Sequence, residues 1–496
     1  SPSCVPFDFD LGHQDSEPDI MKANFFGHSI QFLKDPFATY GSYPVLNKKG
    51  YQVTKILLVN NNFGWKITVP DGTQYYFEEV NITNTSGDHN MLILGDYNTV
   101  FKTASSNNII NRVNWTSSVI STSRIWKITK ILTVEYDTIQ FNYSNPTNIT
   151  DYNIENQWNI YKGEMTDNNL NNVYNAGPIV SDLSRALYSN YYDDILIRKA
   201  SSTTSSTYLT SIDFNDGIIY FYTSDRSDCL GLKKLDRIRI YNKPKNTLIK
   251  TIDFSYSYFN SSTPSLGFPC PKSENELDLR LKLEWVKEEG MPPFIFTYDS
   301  ELLPRKNSYA VDYWGFYNGK VSNTSFLPNP LSAYPDQSQQ YAPFLSLLNK
   351  NNNDNSSYLM YSRACTLKEI VYPTGGKTCI EYELNSFNNY YLGSSTPSGQ
   401  GLRVASVSNW ESTTQISKVK YNYQGGKTMI PPVYIFSFGD CEIIPPSYGF
   451  GFRKYVYNNN IVRSTNLYAP NQLGSGNYVG YDMVIITQEG TDNGSN

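Results

Sequence analysis

The chain is poor in the residue types that most often carry chemistry. Its three histidines, His13, His28 and His89, are far apart; no H-E-x-x-H occurs, and none stand at metal-ligand spacing. Six cysteines (Cys4, Cys229, Cys270, Cys365, Cys379, Cys441) are scattered without a C-x-x-C pair, which argues against a zinc or thioredoxin-like site. Their even count leaves both free thiols and one or two disulfides open. No G-x-S-x-G elbow, P-loop or G-x-G-x-x-G fingerprint is present, and Gly449-Phe450-Gly451 reads as a strand bend. No D-x-[DN]-x-[DN]-G loop occurs, so the pairs Asp8 and Asp10, Asp193 and Asp194, and Glu288 and Glu289 read as surface charge. The expectation is no catalytic residue, no cofactor and no metal.

Other absences narrow the partners. Charged residues make up only 18% of the chain, the formal net charge is -5 and there is no long basic run. Nucleic acid is therefore excluded as a main partner, since duplex binding draws on phosphate neutralisation. No apolar stretch reaches the roughly 18 residues a membrane helix needs, so no transmembrane segment is expected. Ser1-Pro2-Ser3-Cys4 has no initiator Met, basic region or apolar region, and it reads as the start of a processed or partial chain. N-x-S/T triplets such as Asn114-Trp115-Thr116 arise by chance in so Asn-rich a chain and matter only in a glycosylating host.

What the chain does have is tyrosine. There are 41, and aromatic residues reach 15%, a composition that favours half-buried pleated strands. The local signal agrees. Phe254, Tyr256 and Tyr258 alternate with Asp253, Ser255 and Ser257. The same pattern returns in Phe294, Phe296 and Tyr298, in Ile139, Phe141 and Tyr143, in Ile380 and Tyr382, and in Val419, Tyr421 and Tyr423. Alternation places one set on one sheet face, and the polar partners imply water or a wet interior on the other.

Turn chemistry separates these strands. Around Val69-Pro70-Asp71-Gly72-Thr73, a two-residue loop would mix the faces. A three-residue Pro70-Asp71-Gly72 loop instead pairs Val69 with Thr73, Ile67 with Tyr75 and Trp65 with Phe77, putting every large group on one face. Related hairpins are expected at Phe214–Tyr222 and Ile370–Tyr382. The unit of strand, Pro/Asp/Gly turn and strand ending in aromatic-x-Tyr recurs at irregular spacing, a degenerate repeat.

Helical signal is weak. One short helix is expected over Ser181–Ile195 and a helical turn over Pro343–Asn349. Ser201–Thr207, Asn349–Ser357 and Ser394–Gln400 read as low-complexity loops. The fold class is all-β: an extended antiparallel sheet of many hairpins, curled into a shell or partial barrel. Soft boundaries divide it into an aromatic-rich region 1–150, a central region 151–355 with Asn/Ser-rich loops, and a C-terminal region 356–496.

Four segments, taken in order, carry a family resemblance. They are Ser16-Glu17-Pro18-Asp19-Ile20 with Asn24-Phe25-Phe26-Gly27; the hairpin at Val69–Thr73; Asp312-Tyr313-Trp314-Gly315-Phe316-Tyr317-Asn318-Gly319; and Tyr372–Gly376 with Ile380-Glu381-Tyr382-Glu383 and Gly401-Leu402-Arg403-Val404. Together they resemble the region preceding the YD-repeat core in large secreted Rhs-type proteins of Bacteroidetes. The resemblance implies a secreted or surface β-scaffold that encloses or presents a C-terminal toxin-like effector. Its partner would be the downstream part of its own polypeptide or a co-secreted effector. The family's proteolytic residues belong to a core absent from this chain, so none is carried over.

Two other readings compete: a carbohydrate-binding surface protein of propeller or sandwich type, with a cell-surface glycan as partner, and a glycan-active enzyme. The candidate stacking platform is Tyr313, Trp314 and Tyr317. Against it stands a core-and-turn reading in which Trp314 and Phe316 pack inward, Gly315 allows close backbone approach, and Asn318-Gly319 makes the turn.

Overall fold

The computed structural model describes residues 19–34, 42–58, 63–92, 115–166, 191–261, 267, 270–312, 314–324, 326, 353–387, 398–428, 435–444, 453–463 and 479–490. Strands dominate, and two short helices, Glu274–Asp278 and Leu359–Ser362, stand among them. Ser273 and Glu276 close a capping box on the first helix. The protein is all-β and antiparallel, as expected from the alternation.

The hairpin register at Val69–Thr73 is the one the side chains demand. Trp65 pairs with Phe77 and Ile67 with Tyr75. Val69 N donates to Thr73 O at 3.0 Å, Gly72 N donates to Val69 O at 2.9 Å, and Gly72 is left-handed at φ 98°. Trp65, Ile67, Val69, Tyr75 and Phe77 are all buried. A hairpin of Asp19–Phe25 and His28–Lys34 supplies Phe25, Ile30 and Phe32 to the same apolar cluster. Phe32 stands edge-on to Trp65 at 5.2 Å, and Phe25 lies 4.8 Å from Tyr75 between ring centroids.

From this cluster one ladder runs through most of the chain. Gln74–Leu92 and Trp115–Leu132 form a long hairpin. Two partners share the other edge of Gln74–Leu92: Phe63–Thr68 bonds its first residues, and Tyr191–Ser206 bonds residues 82–92. The chain leaving Tyr191–Ser206 continues as Leu209–Phe214, which pairs with Thr138–Tyr143 beyond Trp115–Leu132. The sheet therefore rolls on itself at this crossing. A polar knot fills the bend: Asn81 Oδ1 accepts from Thr207 N at 3.3 Å, and Lys127 Nζ donates to Thr207 O at 2.5 Å. From Leu209–Phe214 the ladder passes strand by strand to Met483–Gly490. Among the described residues no pairing joins its end strands, so the sheet does not close as a barrel.

The recurring aromatic-x-Tyr has a structural cause. Five of the ladder's bulges share one form, a strand carrying one extra residue opposite its predecessor, at Thr129, Asp236, Glu284, Lys368 and Ala405. Such a bulge breaks the ladder locally. In each case a tyrosine of the next strand in the ladder donates its hydroxyl to the carbonyl of the residue just before the extra one. The pairs are Tyr143 to Ile128 (2.6 Å), Tyr256 to Leu235 (2.9 Å), Tyr298 to Leu283 (2.9 Å), Tyr382 to Leu367 (2.9 Å) and Tyr423 to Val404 (2.7 Å). Burial raises the phenol pKa of Tyr256, Tyr298, Tyr382 and Tyr423, so these hydroxyls remain donors. In four of the five clasps a cation from the residue before the acceptor lies over the tyrosine ring: Lys127, Lys234, Lys282 and Arg403, at 5.6, 5.6, 5.7 and 4.4 Å. In the fourth clasp, Thr366 stands at that position. Acceptor and tyrosine are 15, 21, 15, 15 and 19 residues apart, because the intervening hairpins differ in length.

Several loop and helix expectations are corrected. Ser201–Thr207 is no loop: all but Thr207 belong to the strand Tyr191–Ser206, where Thr204 meets Thr83 and Thr203 meets Thr150 through their hydroxyls. Cross-strand threonine pairs stabilise a ladder that composition alone disguises as low complexity. Residues 191–195 of the expected helix are in the same strand, and the rest of it, like Pro343–Asn349, lies outside the described residues. Residues 398–400 of the third loop begin the strand Ser398–Glu411, while 394–397 lie outside the described residues. In the second loop, Asn353 and Asn355 are buried.

Candidate functional site

Asp312–Phe316 is a turn of the same kind as Val69–Thr73. Asp312 N donates to Phe316 O at 2.8 Å, Gly315 N donates to Asp312 O at 3.1 Å, and Gly315 is left-handed at φ 90°. Tyr372–Gly376 repeats it, with Tyr372 N to Gly376 O at 2.8 Å and Gly375 N to Tyr372 O at 2.9 Å. The buried Asp312 carboxylate holds the turn: Oδ1 accepts from Trp314 N and Phe316 N, each at 2.9 Å, and Oδ2 accepts from Ser357 at 2.5 Å. Burial pushes the Asp312 carboxyl up, against the pull of these donors.

The aromatic stretch is therefore not a strand with two faces. Trp314 occupies a turn position, half-buried, edge-on to the buried Phe387 at 5.9 Å. Gly315 faces open space, and its role is the left-handed backbone. The close approach belongs to Gly399, where a Cβ would lie 2.5 Å from the Trp314 ring. Asn318 is not at a turn tip: it is fully buried, and its amide donates to Val311 O at 3.2 Å and Asp354 O at 2.7 Å. Tyr317 is half-buried against Tyr361, with ring centroids 5.4 Å apart. Tyr313 lies outside the described residues. The structure brings Trp314 and Tyr317 to one turn but packs each against a different partner.

The larger feature is the ladder from Gly217–Asp225 to Met483–Gly490, which has two unlike faces. The register aligns Ile238 with Ile252, Phe254 with Val286, Phe296 with Ile370, and Ile380 with Val407 and then Val419. Every one of these apolar residues is half-buried and none is buried.

The opposite face is laced with ion pairs: Arg237–Asp253 at 2.5 Å, Lys377–Glu369 at 2.9 Å, Lys418–Glu381 at 3.0 Å and Lys420–Glu489 at 2.7 Å. The Glu369 carboxyl is held below its ordinary range by its bond from Lys377, and that of Glu381 by bonds from Ser406 and Lys418. A shallow depression of about 580 Å³ lies here, lined by residues that include Glu381, Glu383, Arg403, Lys418 and Tyr423. A second, of about 480 Å³, is lined by residues that include Tyr222, Arg237, Arg239, Asp253 and Trp285. Sequence reasoning named neither, because their residues come from strands far apart in the chain and only the register assembles them.

Among the described residues, no three His, Cys, Asp or Glu side chains gather as a metal site, and Cys229, Cys270, Cys365 and Cys379 are free thiols. His28 Nδ1 is 2.8 Å from the Tyr51 hydroxyl. Cys4, His13 and Gly449-Phe450-Gly451 lie outside the described residues. No described helix is long and apolar enough to cross a membrane.

No family model matches the chain, and no curated protein matches it. Among solved structures it is similar to a chain in the crystal structure of TcdB2-TccC3-Cdc42, at 10% identity and a TM-score of 0.23, over 57% of this chain. It spans only 12% of that chain's length. It is also similar to the N-terminal domain of the effector protein SpvB from Salmonella typhimurium strain LT2, at 10% identity and a TM-score of 0.19, over 48% of this chain and 69% of that one.

Proposed function

We propose that the chain is a non-catalytic β-scaffold in a large secreted or surface protein of Rhs/YD-repeat type, forming a stretch of wall that encloses or presents a C-terminal effector. The observation that carries this reading is the apolar face of the ladder, which stays only half-buried across most of its strands. An apolar surface of this extent is a place for contact with something else. The tyrosine clasps support the same reading, since they stiffen a single sheet without needing a second layer. The titratable groups support it too: ion pairs occupy the carboxylates of the wet face, and the raised Asp312 carboxyl is turned into its own turn.

The test is solvent access to the bare face. A cysteine at Val407 is expected to react quickly with a thiol reagent in the isolated chain. In the longer polypeptide carrying its downstream part, the rate should fall at least tenfold, read by peptide mass mapping. Equal rates in both would sink the wall reading. A glycosidase and peptidase screen tests the other half: turnover abolished by one Asp or Glu substitution would overturn the non-catalytic assignment.

A further inference from the structure

On the wet face, register sets three rows side by side. Tyr220 stands opposite Arg239, which stands opposite Thr251; Tyr222 stands opposite Arg237, which stands opposite Asp253; and Ser255 stands opposite Trp285. Charge accounting singles out one residue. Arg237 is paired with Asp253 at 2.5 Å, and nearby Asp236 with Lys234 at 2.6 Å. Among the described residues, Arg239 has no such partner. Its guanidinium lies 5.6 Å from the Tyr222 ring centroid, and its Nε is buried without a hydrogen-bond partner. Directly across the strand, Thr251 is only 4% exposed, and its hydroxyl also lacks a partner. Unmet buried donors are rare and mark a place where a ligand or water completes the bonding. Arg239 lines the depression of about 480 Å³ together with Tyr222, Asp236, Arg237, Asp253 and Trp285; the rings of Tyr222 and its neighbour Tyr220 are 42% and 38% exposed, with centroids 6.4 Å apart.

We propose that this depression binds a carboxylate-bearing sugar ring of the hexuronate class. Arg239 takes the carboxylate, and the Tyr222 ring, with Tyr220 beside it, stacks on the sugar. A guanidinium matches a carboxylate in a planar, two-bond fork. The exposed aromatic faces suit the apolar side of a pyranose. A peptide fits less well. These strands are interior to the ladder and offer no free backbone edge, and the depression accommodates one or two sugar rings.

Calorimetric titration of the full chain with D-glucuronate, D-glucose and acetate tests this. Glucuronate is expected to bind at least tenfold more tightly than either of the others, because it alone joins ring and charge. Arg239→Gln should weaken glucuronate at least tenfold without moving the unfolding midpoint. Tyr222→Ala, which removes a stacking ring and leaves the guanidinium in place, should weaken it severalfold and so checks the site independently of Arg239. Acetate binding as tightly as glucuronate would overturn the proposal in favour of a simple anion site. Absence of glucuronate binding, or binding unchanged by both substitutions, would also overturn it.

Discussion

The two ends of the ladder are built from the same hairpins and yet are stabilised differently. In the N-terminal region the apolar face of the sheet is covered by the hairpin of Asp19–Phe25 and His28–Lys34, giving a cluster in which Ile30, Val53 and Ile67 are almost wholly buried. In the region from Gly217 onward, an apolar face carries Ile238, Phe254, Phe296, Ile380 and Val407, and each is half-buried where the first cluster is buried. Its deepest groups are mostly polar instead: Asp228, Thr251, Asp312, Asn318, Ser406 and Ser408. Burial stabilises the first region. Ladder bonds, tyrosine clasps and ion pairs hold the second.

The strongest way to break this comparison is to truncate one aromatic residue in each region. Trp65→Ala removes a buried ring from the covered cluster and should cost about 3–5 kcal/mol through lost burial and a cavity. Trp65 Nε1 has no hydrogen-bond partner, so no acceptor is stranded by the change. Phe296→Ala on the bare face should cost about 1 kcal/mol in the isolated chain, the scale of a partly exposed site. Denaturant midpoints measure both. Equal losses would mean that the bare face is covered after all.

The covered region was also the more legible in sequence. The Val69–Thr73 register follows from demanding one apolar face, and Trp65, Ile67, Tyr75 and Phe77 share that face. The aromatic-x-Tyr repeat was visible, but its reason was not. A bulge inserts one residue into one strand only, and period-two reading cannot detect a slip that the partner strand does not share. The threonine run before Thr207 was misread because composition gives no sign of cross-strand hydroxyl pairs. At Trp314 the error was the position of the turn, expected at Asn318-Gly319 and found at Asp312–Phe316. Asp312 and Gly315 set a turn, while the ring's packing partners, Phe387 and Gly399, lie far along the chain. The depression at Arg239 depends on four strands in register, which no local pattern encodes.

A second prediction sharpens the comparison through pH. The covered cluster consists of apolar and tyrosine side chains, whereas the bare region buries Asp228. Burial raises the Asp228 carboxyl. The bonds from Arg226 at 2.9 and 2.7 Å, with that from Leu281 N at 3.0 Å, outweigh it and leave the pKa lowered. A carboxyl lowered in the folded state contributes stability that is present above its unfolded value of about 3.9 and is lost as pH falls through the folded value. Asp312 is shifted the opposite way, so the clean measurement is a difference. Asp228→Asn should lose about 1.5–3 kcal/mol at pH 7, the range for charge-assisted bonds, and should approach the parent protein as the pH falls through the folded value. Hydrogen exchange should place the loss in the bare region and leave the strand Phe63–Thr68 unchanged. A loss independent of pH would mean that shape, not charge, matters at this position.

The smallest expected effect isolates the clasp itself. Tyr→Phe keeps the ring, its packing and any cation above it, and removes only the hydroxyl. The acceptor carbonyl sits at a bulge, where the ladder is already interrupted, so the substitution should cost about 1 kcal/mol. Tyr298→Phe and Tyr382→Phe make the informative pair. Both hydroxyls reach their carbonyl at 2.9 Å, but Lys282 lies over the Tyr298 ring, while Thr366 stands at the corresponding place beside Tyr382. If the hydrogen bond alone secures the bulge, the two losses should agree within a few tenths of a kcal/mol, and the double variant should show their sum, since the clasps share no partner. If the cation helps to orient the phenol, Tyr298→Phe should cost more. In either case Tyr143→Phe should cost about as much as these two, because its clasp onto Ile128 has the same form although its strand neighbour Phe141 is part of the covered cluster. A Tyr143→Phe loss several times larger would show that clasp and core are coupled there, and that the boundary between the two regions lies beyond Tyr143.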